Sequence, residues 1–333
     1  TDATVSIATL KAKATEEKTY TISLEKEESD SENRLTGNTL ELEFSNKDGR
    51  HEIITCGMPV QRLTAAYPEK KRLEMLYKMF LVETALDTEG DRLKKSKKTA
   101  YLDSSEKSVI SYYMGMFFTK LISHRLYGDE YLTHLNLVRK IDHSEYNDFF
   151  ASEWRPEMVG YNPAEDCWSV WEAKGGSNRR EQALKNGAQQ LEAIGTLNGV
   201  RPDPAVVCMT YYDHSYLCGI LREPFSKADG EPVQFHIEDY FEAYYRPICE
   251  LFFDRESSLR MYDSFAEVTF TVPYFSENQE QFEERKIQIG MSRELLQKLM
   301  DSDYKAVAEM RKKADKEKYP EGAYMGSDGI YIR

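Results

Sequence analysis

The sequence predicts a mixed α/β (α+β) fold, with a small N-terminal β-rich module, a central core of helices and strands, and a mainly helical C-terminal region. Three observations carry that expectation. Apolar and polar residues alternate at period two in Thr19–Leu24 and Thr39–Phe44. A run of helical period begins behind a capping signal at Asp103. Two strand-like segments, 155–161 and 167–174, are joined by turn residues and followed by a helical segment and an apolar run at 205–211. Boundaries near 100 and 230 divide the 333 residues into regions 1–100, 101–230 and 231–333.

Taken in order, the two alternating segments are separated by an acidic turn-like stretch, Glu25 to Asn33. Asp48-Gly49 is a turn dipeptide, so residues 51–56 are expected as the returning strand of a hairpin. Leu73, Leu76, Tyr77, Phe80 and Leu81 recur at helical spacing within 69–86, and a lysine-rich linker with Gly90 follows. In the next helix Asp103 is the expected N-cap, Glu106 completes a capping box, and Gly128 ends the helix. Its broad apolar face runs from Val109 through Met114 and Phe117 to Ile122, and Ser111 and Gly115 would let a neighbouring element approach closely. Residues 135–141 read as a strand. A helix is expected over 179–194, another over 237–253, strands at 267–273 and 287–289, and a largely helical stretch over 293–318. The aromatic cluster Tyr240, Phe241, Tyr244, Tyr245, Phe252 and Phe253 has helical spacing, which favours core over a base-stacking surface.

Composition narrows the function classes. No stretch reaches the ~18 apolar residues of a membrane span, and no basic segment followed by an apolar run opens the sequence, so a soluble protein without a secretory signal is expected. Five scattered cysteines form neither a metal clip nor a disulfide framework, which favours a reducing cytoplasm. The six histidines show no HExxH spacing, which argues against a zinc site, and His143 reads as a loop residue. P-loop, dinucleotide-fold and nucleophile-elbow motifs are missing from the sequence. The net charge of −13 excludes a uniformly basic surface, although local tracks exist at Lys94–Lys98, at Arg179, Arg180 and Lys185, and at Arg311–Lys318.

The chemistry is concentrated in the strand pair at 155–174. Side chains alternate along a strand, so Arg155, Glu157, Val159 and Tyr161 share one face, as do Trp168, Val170, Glu172 and Lys174. Two carboxylates can then converge from adjacent strands with a lysine two residues beyond the second. Hard divalent cations take such oxygen ligands, and the Ala173 carbonyl could add another.

Pro156-Glu157 followed by Glu172-Ala173-Lys174, in this setting of helices and strands, resembles the PD-(D/E)xK (restriction-endonuclease-like) nuclease superfamily. The resemblance covers roughly residues 103–212, with Glu157 where aspartate is commoner. It implies an α-β-β-β-α-β core and a catalytic set of Glu157, Glu172, Lys174 and a glutamine on the following helix, Gln189 being preferred over Gln182 and Gln190. It further implies Mg2+, replaceable by Mn2+, held by Glu157, Glu172, the Ala173 carbonyl and a helix glutamate, Glu106 being the nearest match and Glu130 or Glu145 the alternatives. Arg179, Arg180 and Lys185 would contact flanking phosphates. The expected function is therefore a metal-dependent endonuclease, acting on DNA rather than RNA, as a homodimer or a subunit of a larger complex. Prokaryotic restriction or phage defence is the matching context. A catalytically weak nuclease fold that binds nucleic acid or scaffolds a complex is the competing reading.

Overall fold

The computed structural model describes residues 18–29, 35–56, 68–141, 155–224, 230–252, 258–276, 281–313 and 319–333. The alternating N-terminal segments form β1 (Thr19–Ser29) and β2 (Leu35–Ser45), which pair antiparallel with Ile22 opposite Leu42 and Leu24 opposite Leu40. The Asp48-Gly49 dipeptide does not turn a hairpin. It lies inside helix α1 (Asn46–Thr55), which takes the place of the expected returning strand. The reason is local: the Ser45 hydroxyl accepts from the Asp48 N–H, and the Asp48 carboxylate accepts from the Ser45 N–H. That reciprocal cap starts a helix and outweighs the turn preference of the dipeptide.

Helix α2 (Pro68–Ala85) appears where expected but is turned differently. Its buried stripe is Met75, Met79, Val82 and Ala85, whereas Tyr77 and Phe80 are half-exposed. Tyr77 packs edge-on against Tyr113, which gives its ring a partner at the surface. The lysine-rich stretch is a hairpin rather than a linker, with β3 (Leu86–Glu89) paired to β4 (Arg92–Lys95) around Gly90 at φ 65°. Helix α3 (Ser104–Tyr127) follows the sequence closely, from the Asp103–Glu106 capping box to Gly128 in the left-handed conformation. Residues 135–141 are helix α4 (Leu135–Ile141), preceded by the two-residue strand β5 (Thr133–His134), and not the expected strand. Leu135 and Val138 are both buried at helical spacing, and the Asn136 N–H donates to His134 Nδ1 at the helix start.

The central elements are β6 (Met158–Asn162), β7 (Cys167–Gly175), α5 (Glu181–Leu191), β8 (Ile194–Leu197), β9 (Ala205–Asp213) and β10 (Tyr216–Glu223). Beyond them lie β11 (Glu231–Val233), α6 (Ile237–Phe252), β12 (Ser258–Met261), β13 (Phe265–Ser276) and β14 (Gln281–Ser292). The chain finishes with α7 (Arg293–Met300), α8 (Tyr304–Lys312), β15 (Tyr324–Met325) and β16 (Ile330–Ile332). The C-terminal region is thus less helical than expected, since β12, β13, β14, β16 and β15 form a five-stranded sheet beside its helices. The α6 aromatics Tyr240, Phe241, Tyr244 and Tyr245 are buried, as core residues should be, while Phe253 lies outside the described residues.

The large sheet is mixed and nine-stranded, in the order β2-β1-β4-β10-β9-β7-β6-β5 with β3 at the side of β4. Strand β1 runs parallel to β10, and β7 runs parallel to β9. A short parallel pair of β8 and β11 stands apart from it. No described helix is long and apolar enough to cross a membrane.

Glycines set how closely the helices cover this sheet. A β-carbon at Gly115 of α3 would lie 2.9 Å from the Lys174 backbone, and one at Gly175 of β7 would lie 1.7 Å from the Ser111 carbonyl oxygen. Ser111 and Gly115 therefore allow the close approach their spacing suggested. From the other side, Gly187 lets α5 settle on β9 and β7, where a β-carbon would stand 2.7 Å from Val207 and 3.2 Å from the Glu172 side chain. A Gly175→Ala substitution should cost about 3 kcal/mol, because backbone rather than a flexible side chain blocks the methyl. Urea denaturation measures it, and an unchanged midpoint would contradict this contact.

Candidate functional site

Strands β6 and β7 pair with Met158 opposite Trp171 and Val159 opposite Val170, a register that sets Glu157 across from Glu172. The two side chains share a face, as their alternation predicts. Glu172 is fully buried, and its carboxylate accepts a hydrogen bond from the Glu157 N–H at 2.9 Å. The same carboxylate accepts from Lys174 Nζ in a close ion pair. The Lys174 ammonium also donates to Gln190 Oε1 at 2.9 Å, and Gln190 Nε2 donates to the Arg155 carbonyl at 3.2 Å. Gln190 thus fixes the lysine and, through Arg155, the chain leading to Glu157.

Electrostatically the site holds more negative charge than it satisfies. No described group donates a hydrogen bond to Glu157 Oε2, which is buried. Burial, then the Glu172 carboxylate, pushes the Glu157 carboxyl well above the usual carboxylate range, against opposition from Lys174 and the Ala173 N–H. Burial also raises Glu172, with Lys174 opposing. On α3, Tyr112 is raised by burial and, more weakly, by the Glu157 charge. Two buried carboxylates share one ammonium, and the uncompensated charge is what a cation would offset.

Four of the nine sequence-predicted residues meet here and five do not. Glu157, Glu172 and Lys174 converge, and Ala173 lies between the last two on β7. The glutamine is Gln190, whereas Gln189 is exposed, and Gln182 bonds Asn186 instead. Glu106 is not gathered into the site, because its exposed carboxylate accepts from the Asp103 N–H and closes the cap of α3. His143 and Glu145 lie outside the described residues, as do Lys316 and Lys318. Of the flanking cations, Arg179 is taken up in ion pairs with Glu25 and Glu27 of β1, each at 2.7 Å, while Arg180 and Lys185 are exposed. Lys94 pairs with Glu89.

Glu130 belongs to a different group. With His51 and Asp328 it forms a buried cluster that could hold a metal ion, the three ligand atoms lying within 4.8 Å of one another. Motif spacing argued against a histidine-containing metal site, but this cluster is assembled across the fold and follows no motif spacing. His51 and Asp328 are 277 residues apart.

Burial pushes the Glu157 carboxyl up to about 8, so at neutral pH the fold must hold it protonated; replacing it by glutamine removes that cost and keeps an oxygen to accept from Ala173. In metal-free buffer at neutral pH the Glu157→Gln chain should be about 1 kcal/mol more stable to urea than the parent. A lower midpoint would mean that Glu157 is well compensated. Comparison with protein-family models, with curated proteins and with solved structures finds no match to this chain.

Proposed function

We propose that this chain is a metal-dependent nuclease of the PD-(D/E)xK type that hydrolyses DNA phosphodiester bonds. One observation carries the reading: Glu157, Glu172, Lys174 and Gln190 are gathered on one face of β6, β7 and α5, with a buried carboxylate oxygen that nothing described satisfies. The order α3, β5, α4, β6, β7, α5, β8, β9, with β7 and β9 parallel, supports a restriction-endonuclease-like core, although a helix stands at 135–141 where its first strand was expected.

Glu157 and Glu172 would hold Mg2+, or Mn2+ in its place. Such an ion supplies a more acidic water and offsets charge developing on the phosphate. The chain's own groups do the rest. Glu172 is aimed by the Glu157 N–H and by Lys174, so it does not have to reorganise when substrate arrives. Lys174 sits between Glu172 and Gln190, from where its ammonium can orient the attacking water and offset charge on the phosphate. Gln190 positions Lys174 through its carbonyl oxygen and, with its amide bound to Arg155, keeps α5 in register with the strand carrying Glu157. Arg180 and Lys185 contact flanking phosphates without reading bases.

The test is cleavage of supercoiled plasmid DNA with Mg2+ or Mn2+. Wild type should nick or linearise it, and Glu172→Ala or Lys174→Ala should each lower the rate by about 10²-fold or more. Gln190→Ala should fall between them and wild type. Folded wild-type chain that cleaves nothing with either metal would replace this reading by a nucleic-acid-binding or scaffolding role.

A further inference from the structure

A second set of ionisable side chains lies apart from the site above and plays no part in it. It is built where α1, the C-terminal half of α3, α6 and the β15–β16 turn meet. His51, Glu52, Lys120, Glu130 and Asp328 are buried there, each at most 1% exposed, with His124 at the edge.

Most of these groups are accounted for. The Glu52 carboxylate accepts from His124 Nδ1 at 2.6 Å and lies 3.4 Å from His51 Nδ1. Lys120 Nζ donates to the Glu130 backbone carbonyl and to the Tyr244 hydroxyl, and stands 3.9 Å from Glu52. Asp328 Oδ2 accepts from the Tyr244 hydroxyl at 2.8 Å, and Oδ1 accepts from the Ile330 N–H at 2.9 Å. Among the described residues Glu52 Oε2 has no hydrogen-bond donor, and Glu130 has none at all. No described group donates a hydrogen bond to either of its oxygens, and the nearest imidazole nitrogens are 3.8 Å and 3.7 Å away, on His51 and His124. A fully buried carboxylate without a donor is costly unless something positive sits beside it.

The space beside it is defined by Gly326. A β-carbon there would lie 2.2 Å from Glu130 Oε1, 2.4 Å from His51 Nε2 and 2.6 Å from Asp328 Oδ1. Only a glycine lets the backbone come this close to the imidazole nitrogen and the two carboxylate oxygens, and the three ligand atoms are gathered within 4.8 Å of one another beside it. Ligands at about 2.0–2.2 Å from one ion lie ~3–3.5 Å apart. Here His51 Nε2 is 3.1 Å from Asp328 Oδ1 and 3.8 Å from Glu130 Oε1. His51 is oriented as a ligand should be, with Nε2 toward the Asp328 and Glu130 oxygens and Nδ1 toward the Glu52 carboxylate, which can accept its proton.

We infer that His51, Glu130 and Asp328 form a binding site for one divalent transition-metal ion, Zn2+ by its donor set, with Glu52 orienting the imidazole. Imidazole favours a transition metal over Mg2+. The burial of all three ligands leaves no place for the water shell that Mg2+ retains. The ion would tie α1 to the turn 277 residues later in the chain, which makes the site structural.

The test uses the full chain carrying Glu157→Gln and Glu172→Gln, so that binding at the proposed nuclease centre does not enter. After EDTA treatment and dialysis it is titrated with Zn2+ against a chromophoric chelator. One equivalent should bind, and adding Glu130→Gln or Asp328→Asn should weaken it by about 100-fold or more, while Glu52→Gln should weaken it by about 10- to 100-fold. Co2+ in place of Zn2+ should give visible d–d bands that Glu130→Gln abolishes. The metal-free Glu130→Gln chain should melt no earlier than its parent, since it loses a charge that had no donor; Asp328→Asn is the second variant should it not fold. Failure to bind one equivalent of Zn2+, or equal affinity in the Glu130→Gln and Asp328→Asn chains, would overturn the assignment whatever the plasmid assay shows.

Discussion

The contact of α3 with β7, backbone against backbone at Ser111, Gly115 and Gly175, is the constraint on which the rest of this structure depends. Strand β7 lies between β6 and β9, seated from behind by α3, and presents Glu172 and Lys174 on the face that α5 covers, so the closeness of α5 at Gly187 decides how much water reaches those side chains. Were α5 held off by a side chain larger than Gly187, Glu172 would become more solvated and its charge would relax toward that of an ordinary surface carboxylate. Gly115 and Gly175 fix the strand against α3 on the opposite face. Small residues on both sides of one strand turn a Glu-x-Lys pair, common on protein surfaces, into a buried electrostatic device.

That burial is destabilising by itself. Packing of Trp171, Val206, Val207 and the α3 apolar face against the sheet must hold Glu157 and Glu172 together against their repulsion. Lys174 offsets part of it, and the Glu157 N–H offsets more by donating to Glu172. The balance left over sits on Glu157 Oε2. Strained electrostatics of this kind persist only where surrounding packing over-determines the geometry, and they are commonest at sites that bind something.

Much of this was legible from local signals. The caps of α3, the close-approach pair Ser111 and Gly115, and the shared face of Glu157, Glu172 and Lys174 all follow from periodicity and propensity within a few residues. Choosing between Gln189 and Gln190 was harder, because adjacent helical residues differ by about 100° and only the packing of α5 through Gly187 fixes the rotation. Helix α1 was hidden because Asp48-Gly49 signals a turn more loudly than Ser45 and Asp48 signal a cap. In α2 the flexible methionines 75 and 79, and not the larger aromatics, fill the core, a substitution of shape that hydrophobic periodicity does not see. The group around Glu130 has no sequence signature, since its members come from α1, the segment after α3 and the last hairpin.

Both acidic groups lean on α3. Ser111 seats the strand that carries Glu172, and Lys120 reaches Glu52 and the Glu130 carbonyl nine positions, or ~14 Å, further along one rigid rod. Each end of the rod therefore carries buried carboxylate charge that the protein's own donors do not fully satisfy. The remedies differ in kind. At Glu157 the deficit lies beside a half-buried lysine and an exposed helix with Arg180 and Lys185, so a cation there could be shared with an incoming phosphate. At Glu130 the deficit is sealed under α6 and the final hairpin, where no substrate can reach and a cation could only hold elements together. Depth of burial, more than ligand type, separates a centre suited to chemistry from one suited to structure.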